Sequence, residues 1–182
     1  MILESIVSRR AHLSFSGEPV TQEQITNIFK AAILAPSGGN NQPWRYFYGI
    51  RGTEGFKALY DCLDEGNQRW ASDAGALILS AAQMTYVYKE KVFTNSHAWH
   101  DTGLANSLLM IQAAEDGLKT HPMGGFDREL AREAAKLGSD TEPVVMFAVG
   151  APGKEEDLSA DLLKRQTSPR QRKPLEEVVT EL

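Results

Sequence analysis

The sequence contains a single cysteine, Cys62, among 182 residues. One thiol cannot form an internal disulfide, and it cannot supply a multi-cysteine zinc or iron–sulfur site, so we expect packing alone to stabilise the fold. Cys62 falls on the apolar side of a predicted helix, which favours burial over a role as a nucleophile.

Long apolar runs are also missing. No stretch of about 18 apolar residues occurs, so no segment is predicted to span a bilayer. The first ten residues lack the basic-then-apolar order of a secretory signal. We therefore expect a cytoplasmic protein that has no membrane partner.

Basic residues are in the minority: the sequence has 19 Lys and Arg and 24 Asp and Glu, which gives a formal net charge of −5. This acidity argues against a broad nucleic-acid surface, so no nucleic-acid partner is predicted. The positive charge gathers at Arg9 and Arg10 and in the acid-free stretch 164–173. These are either two solvated basic segments or one phosphate site built from both ends of the chain, because guanidinium forks match phosphate oxygens.

Common catalytic and nucleotide-binding motifs are absent. Neither GxGxxG nor GxxxxGK[ST] occurs, and there is no GxSxG elbow of a serine hydrolase. His97, His100 and Asp101 have the spacing of one helical face, but they do not form an HExxH motif. No metal site is predicted.

The pattern of apolar residues predicts an α+β protein. Thr21 and Gln24 form a capping-box pair at the start of the clearest helix. The segment after Gly150 is polar and interrupted by prolines, which is typical of an arm rather than a second domain. Helical spacing predicts helices over 21–34, 55–65, 101–116 and 127–138, and short apolar or aromatic runs predict strands over 45–50, 76–82 and 143–150.

Two glycine-containing segments could contact a ligand. The loop APSGGNNQPW, residues 35–44, combines small residues with amides that could bind a polar heterocycle. In HPMGGFD, residues 121–127, a glycine pair precedes a helix capped by Asp127, so backbone amides there could donate to a ligand. By composition alone a simple turn is the more common explanation of each segment.

Taken in this order, these segments resemble the FMN-dependent nitroreductase family from about residue 8 to residue 179. The strongest match is APSGGNNQPW, and it is supported by RRAHLSF, GLKTHPMGGFD, PVVMFAVGAP and RQRKPLEEVV. The resemblance implies one nitroreductase-like α+β domain over 1–182, with a central, mostly antiparallel sheet flanked by helices. It also implies an interlocked homodimer with two FMN sites at the interface, in which the arm 152–182 packs on the partner subunit.

The resemblance implies roles for individual residues. Arg9, Arg10, Arg170 and Arg172 match phosphate-binding positions. Ala11 and Leu13 stand where the family often has a serine and a second cation. The remaining implied cofactor-binding residues are Pro36, Ser37, Gly38 and Asn40, commonly from the partner subunit, together with Asn67 at the polar edge of the ring and Pro122, Met123, Gly124 and Gly125 beside the redox centre.

The function implied by the resemblance is that of an NAD(P)H-dependent flavin oxidoreductase. It would hold FMN tightly but non-covalently, take electrons from NADH or NADPH, and reduce nitroaromatics, quinones or related acceptors by a ping-pong hydride mechanism. The chemistry would lie on the flavin, so no catalytic side chain is predicted. Two alternatives stay open: a non-catalytic FMN-binding or storage protein, and an interaction domain without flavin whose basic arm binds an acidic partner.

Overall fold

Helices and strands alternate irregularly along the chain in the computed structural model, which describes residues 1–182. The helices are α1 (Glu4–Ser8), α2 (Gln22–Ala32), α3 (Glu54–Asp61), α4 (Glu65–Ala71), α5 (Ala98–Glu115), α6 (Arg128–Ala134) and α7 (Ala160–Thr167). The strands are β1 (Trp44–Ile50), β2 (Ala76–Gln83), β3 (Thr85–Tyr88), β4 (Lys91–Thr94), β5 (Lys119–Met123) and β6 (Thr141–Gly150).

Four strands form a central antiparallel sheet in the order β1-β2-β6-β5. The central strands β2 and β6 pair with Leu79 opposite Met146, and a bulge interrupts their register between Ser80 and Ala81. Seven of the eight residues of β2 are buried, because helices cover both faces of the sheet. The predicted α+β class with an antiparallel sheet is confirmed.

Hydrophobic clusters fill the space on each face of the sheet. On one face, α2 and α5 pack through buried residues that include Ile25, Ile28 and Leu109. On the other face, α3 and α4 pack with residues that include Leu59 and Trp70. Gly49 of β1 allows α3 to approach closely, since a Cβ there would overlap the backbone of Gly55 and Phe56.

Several helix and strand boundaries follow the sequence pattern. Thr21 caps α2 with the predicted capping box, accepting from the Gln24 amide at 3.1 Å while the Gln24 side chain accepts from the Thr21 amide at 2.8 Å. The predicted strands correspond to β1, β2 and β6. Asp127 caps α6 as predicted, but that helix ends at Ala134 rather than near Gly138.

The predicted helix over 55–65 is wrong after Asp61. The helix α3 stops at Asp61, and a separate helix α4, capped by Asp64, begins at Glu65. Between the two helices, Leu63 forms a bridge with Phe126, and the Cys62 carbonyl accepts from the Asp127 amide. Contacts with a distant segment therefore override the local helical spacing.

The elements α1, α4, α7, β3, β4 and β5 are not predicted from the sequence. Strand β5 contains Pro122, which has no amide hydrogen and is therefore tolerated only at positions such as the edge of a sheet. Strand β5 is an edge strand of the central sheet, and its Pro122 lies opposite Phe147 of β6. Strands β3 and β4 form a separate two-stranded hairpin.

The segment after Gly150 contains one helix, α7. Leu162 and Gln166 of α7 are buried against their own chain, and Gln166 Oε1 accepts from the Leu13 amide at 2.9 Å. Residues 169–182 are exposed. Packing of the arm on a partner subunit stays a prediction. No helix combines the length and the apolar character needed to cross a membrane.

Candidate functional site

Both ends of the chain meet in a cavity of about 340 Å³, which we call the basic cavity. The Arg170 guanidinium donates to the backbone carbonyls of Arg9 at 3.0 Å and Val7 at 2.8 Å. Arg10 donates to the carbonyl of Ser168. The cavity is lined by Arg9, Arg10, Ala11, Leu13, His121, Pro122, Arg165, Ser168, Pro169, Arg170, Gln171 and Arg172.

The charge of the basic cavity is not compensated within the protein. Its lining contains five arginines and no acidic residue, and none of the five forms an ion pair with a carboxylate. Burial, together with the positive charges of Arg170 and Arg172, lowers the pKa of Arg9 below its usual value. An anion placed among these groups would relieve their mutual repulsion.

A second cavity, of about 410 Å³, lies beside the first, and we call it the glycine cavity. It shares His121, Pro122 and Arg165 with the basic cavity, so the two cavities adjoin at these residues, and we call the pair the cleft. Its other lining residues are Asp64, Gly66, Asn67, Arg69, Met123, Gly124, Gly125, Asp161 and Leu162.

Hydrogen bonds fix the backbone around Gly125. The Gly125 carbonyl accepts from the Asn67 side-chain amide at 2.9 Å and from the Asp64 amide at 3.2 Å. A Cβ on Gly125 would overlap the Asp64 carboxylate, whereas a Cβ on Gly124 would meet open space. One of the two Nδ2 hydrogens of Asn67 is thus committed to the protein, which leaves the second hydrogen as a donor and Oδ1 as an acceptor available to a ligand.

The positions where the family often carries a serine and a second cation are neutral here. Ala11 and Leu13 both line the basic cavity. Leu13 is buried and packs in the same cluster as Trp70. In the glycine cavity the Arg69 guanidinium contacts the Asp161 carboxylate at 2.9 Å. Arg165 is therefore the one cation of the glycine cavity without a carboxylate partner.

The loop over 35–44 does not reach the cleft of its own chain. It folds over the start of α5, where the Gly38 amide donates to Asp101 Oδ2 at 2.9 Å. Ser37 Oγ accepts from the Gln42 amide at 3.0 Å, and Gly39 has a φ of 58°. Pro36, Ser37, Gly38 and Asn40 line neither cavity.

His100, in the first turn of α5, contacts the carboxylate that holds this loop. His100 Nδ1 lies 2.9 Å from Asp101 Oδ1, and the second oxygen of Asp101 accepts from Gly38.

No group of three or more His, Cys, Asp or Glu side chains is arranged to hold a metal ion. Cys62 is buried, as predicted, and burial raises the pKa of its thiol.

Residues that the sequence did not single out complete the cleft. His121 and Arg165 occupy the junction of the two cavities, and Arg69 lines the glycine cavity. Arg165 lies in the basic stretch 164–173, but its charge alone does not separate it from its neighbours. For His121 no signal in the sequence indicates which side of β5 faces the cleft.

The chain belongs to the Nitroreductase family, whose model matches residues 6–60 and 50–151. A relative from Archaeoglobus fulgidus, provisionally named NADH dehydrogenase/NAD(P)H nitroreductase, is 29% identical over 160 residues, which cover 86% of this chain and 88% of that protein. Protein DrgA of Synechocystis is 28% identical over 189 residues, covering 86% of this chain and 89% of DrgA.

Solved structures show the same architecture. A crystal structure described as an oxidoreductase containing FMN has a TM-score of 0.95 and 28% identity, covering 100% of this chain and 91% of that one. A nitroreductase family protein from Streptococcus pneumoniae has a TM-score of 0.78 at 17% identity, covering 98% of each chain. At that level of identity the likeness concerns the fold alone. The predicted nitroreductase-like fold is thus confirmed.

Proposed function

We propose that this protein is an FMN-dependent oxidoreductase that takes electrons from NADH or NADPH and reduces small acceptors such as nitroaromatics or quinones. The observation that carries the proposal is the cleft, in which the basic cavity adjoins the glycine cavity at His121, Pro122 and Arg165. The relative from Archaeoglobus fulgidus and the crystal structure containing FMN support the same assignment.

The two ends of the cleft fit the two ends of FMN. A phosphate dianion suits the basic cavity, because five arginines there have no carboxylate partner. The glycine cavity lies at the other end, with a free amide oxygen on Asn67 and open space beside Gly124. FMN joins a phosphate to a polar heterocycle through a ribityl chain, so its two ends match the chemistry of the two adjoining cavities.

Each part of the protein then has a defined task. Arg9, Arg10, Arg170 and Arg172 would hold the phosphate, and Asn67 would accept from the ring's polar edge. Pro122, Met123, Gly124 and Gly125 would form the surface beside the ring, while Ala11 and Leu13 would make apolar contacts. When bound, FMN supplies the hydride-accepting and hydride-donating chemistry, and the protein supplies position and electrostatics.

A homodimer would complete the site. The loop with Pro36, Ser37, Gly38 and Asn40 lies outside the cleft of its own chain. We propose that it reaches the cleft of a second copy, as the family resemblance implies. The exposed end of the arm, residues 174–182, would pack on that copy.

The test is spectroscopic. Purified protein, supplemented with FMN if needed, is expected to be yellow, to bleach anaerobically with NADH or NADPH, and to recover its colour on addition of menadione. Retention of FMN without bleaching by either nucleotide would favour the non-catalytic binding or storage protein. A protein that does not bind FMN would contradict both.

A further inference from the structure

His121 lies where the basic cavity meets the glycine cavity, and it lines both. Its side chain is almost fully enclosed, with 6% of the residue exposed. The imidazole packs against the indole of Trp70, with ring centroids 4.4 Å apart. The ring therefore has little freedom to turn.

One nitrogen of this ring is committed to the protein. His121 Nδ1 lies 2.9 Å from the backbone carbonyl oxygen of His12. A carbonyl oxygen only accepts hydrogen bonds, so Nδ1 must carry the hydrogen. In the neutral ring the other nitrogen, Nε2, is then an acceptor.

The ring stays neutral at physiological pH. Burial lowers the pKa of His121 to about 4; the hydrogen bond to the His12 carbonyl opposes this shift, and the positive charge of Arg165 adds to it. Nε2 has no hydrogen-bond partner within the protein and is not sealed in the interior. The junction of the two cavities therefore contains a fixed, unprotonated acceptor.

We propose that His121 Nε2 accepts a hydrogen bond from a hydroxyl group of the ribityl chain of FMN. This inference rests on the proposed function. The ribityl chain is the part of FMN that connects the phosphate to the ring, so it must pass the residues that the two cavities share. It carries a row of hydroxyl donors, which is the chemistry that an unprotonated imidazole nitrogen binds.

Two variants separate this role from a structural one. In His121→Asn the side-chain amide can still donate to the His12 carbonyl, but no atom takes the place of Nε2. In His121→Gln an acceptor oxygen can reach the position of Nε2, while the His12 carbonyl loses its donor. The first variant removes the proposed contact and the second retains it.

The ligands form a matched series of FMN, riboflavin without the phosphate, and lumiflavin without phosphate and ribityl chain. His121→Asn is expected to weaken FMN and riboflavin binding by the same factor, about three- to tenfold for one hydrogen bond, and to leave lumiflavin binding unchanged. His121→Gln is expected to retain FMN affinity within about twofold. Fluorescence titration measures all three dissociation constants.

A purely structural role would give a different result. Equal losses for FMN and lumiflavin in His121→Asn, or no loss for FMN, would overturn the inference. If the variants do not fold, nitrogen NMR of the wild-type protein decides: FMN should shift the Nε2 resonance and lumiflavin should not. Failure of wild-type protein to bind FMN would instead overturn the proposed function.

Discussion

Arg9 is held in an electrostatically unfavourable position. Burial and the neighbouring charges of Arg170 and Arg172 lower its pKa, and no carboxylate compensates for them. Such an arrangement gains stability when an anion binds, because the repulsion is replaced by charge-assisted hydrogen bonds. At the scale of the residue, the arginines of the basic cavity are thus positioned to bind an anion.

Removing either of two arginines should weaken FMN binding. Arg9→Ala and Arg170→Ala each delete charge-assisted contacts of about 1.5–3 kcal/mol, which corresponds to about 10- to 150-fold in dissociation constant. Lys154→Ala is the control, since Lys154 is exposed and lines none of these cavities. FMN titration measures the effect, and wild-type affinity in both arginine variants would refute the phosphate site.

His121 should make the stability of the protein depend on pH. Its pKa is about 4 in the folded state, against 6.5 as the ordinary value, so the unfolded chain binds the proton more readily. The contribution of the neutral ring is complete above pH 6.5 and decreases as the pH falls toward 4, by up to about 3 kcal/mol. His12, whose pKa is also lowered by burial, changes stability in the same direction.

Urea unfolding between pH 7 and pH 4 checks this expectation. The wild-type protein should lose more unfolding free energy over that interval than His121→Asn, because the asparagine does not titrate. Both proteins share the remaining acid-sensitive carboxylates, so only the difference between them reports on His121. Parallel pH profiles would show that the ring is protonated freely in the folded state.

At the scale of the element, the first turn of α5 holds the loop over 35–44. Asp101 is buried, and its two oxygens contact the Gly38 amide and His100 Nδ1, each at 2.9 Å. A carboxylate in the first turn is also stabilised by the helix dipole. Helix α5 therefore fixes the loop that we propose to reach the partner's cleft.

Asp101→Ala should loosen this loop. The Gly38 amide loses its acceptor, so we expect a loss of about 1.5–3 kcal/mol in stability and faster hydrogen exchange at Gly38. Glu115→Ala, an exposed site at the other end of α5, is the matched control. Unchanged exchange at Gly38 in Asp101→Ala would show that the loop is held by other contacts.

At the scale of the whole molecule, one chain leaves apolar side chains exposed at both ends. Ile2 and Leu3 near the start are more than half exposed, and so are Leu175, Val178 and Val179 near the end. Contiguous exposed apolar patches are typical of contact surfaces. In the homodimer that we propose, a second copy of the chain would cover these side chains and bring its loop to the cleft.

Light scattering should therefore give twice the 20.1 kDa of one chain. Deletion of residues 174–182 removes the exposed side chains of Leu175, Val178, Val179 and Leu182, so we expect it to shift the protein toward the monomer and to weaken FMN binding. The deletion leaves all five cleft arginines in place. A full-length monomer with normal FMN affinity would contradict the shared site.

Local patterns in the sequence were sufficient for α2, α5 and the three longest strands of the sheet. Their apolar spacing and caps involve residues within one or two turns of each other, as the pair Thr21 and Gln24 does. The sequence also showed that basic residues gather near both ends of the chain, and the family resemblance predicted that they form one phosphate site.

Contacts between distant segments decided the remainder, because no local pattern encodes them. The bridge between Leu63 and Phe126 follows the end of α3, which is shorter than the predicted helix. Pro122 is tolerated in β5 because this strand lies at the edge of the sheet. The tautomer of His121 depends on a carbonyl 109 residues away in the chain. Chain neighbours set helical spacing and capping, whereas sheet pairing and packing set which side chains meet across the cleft.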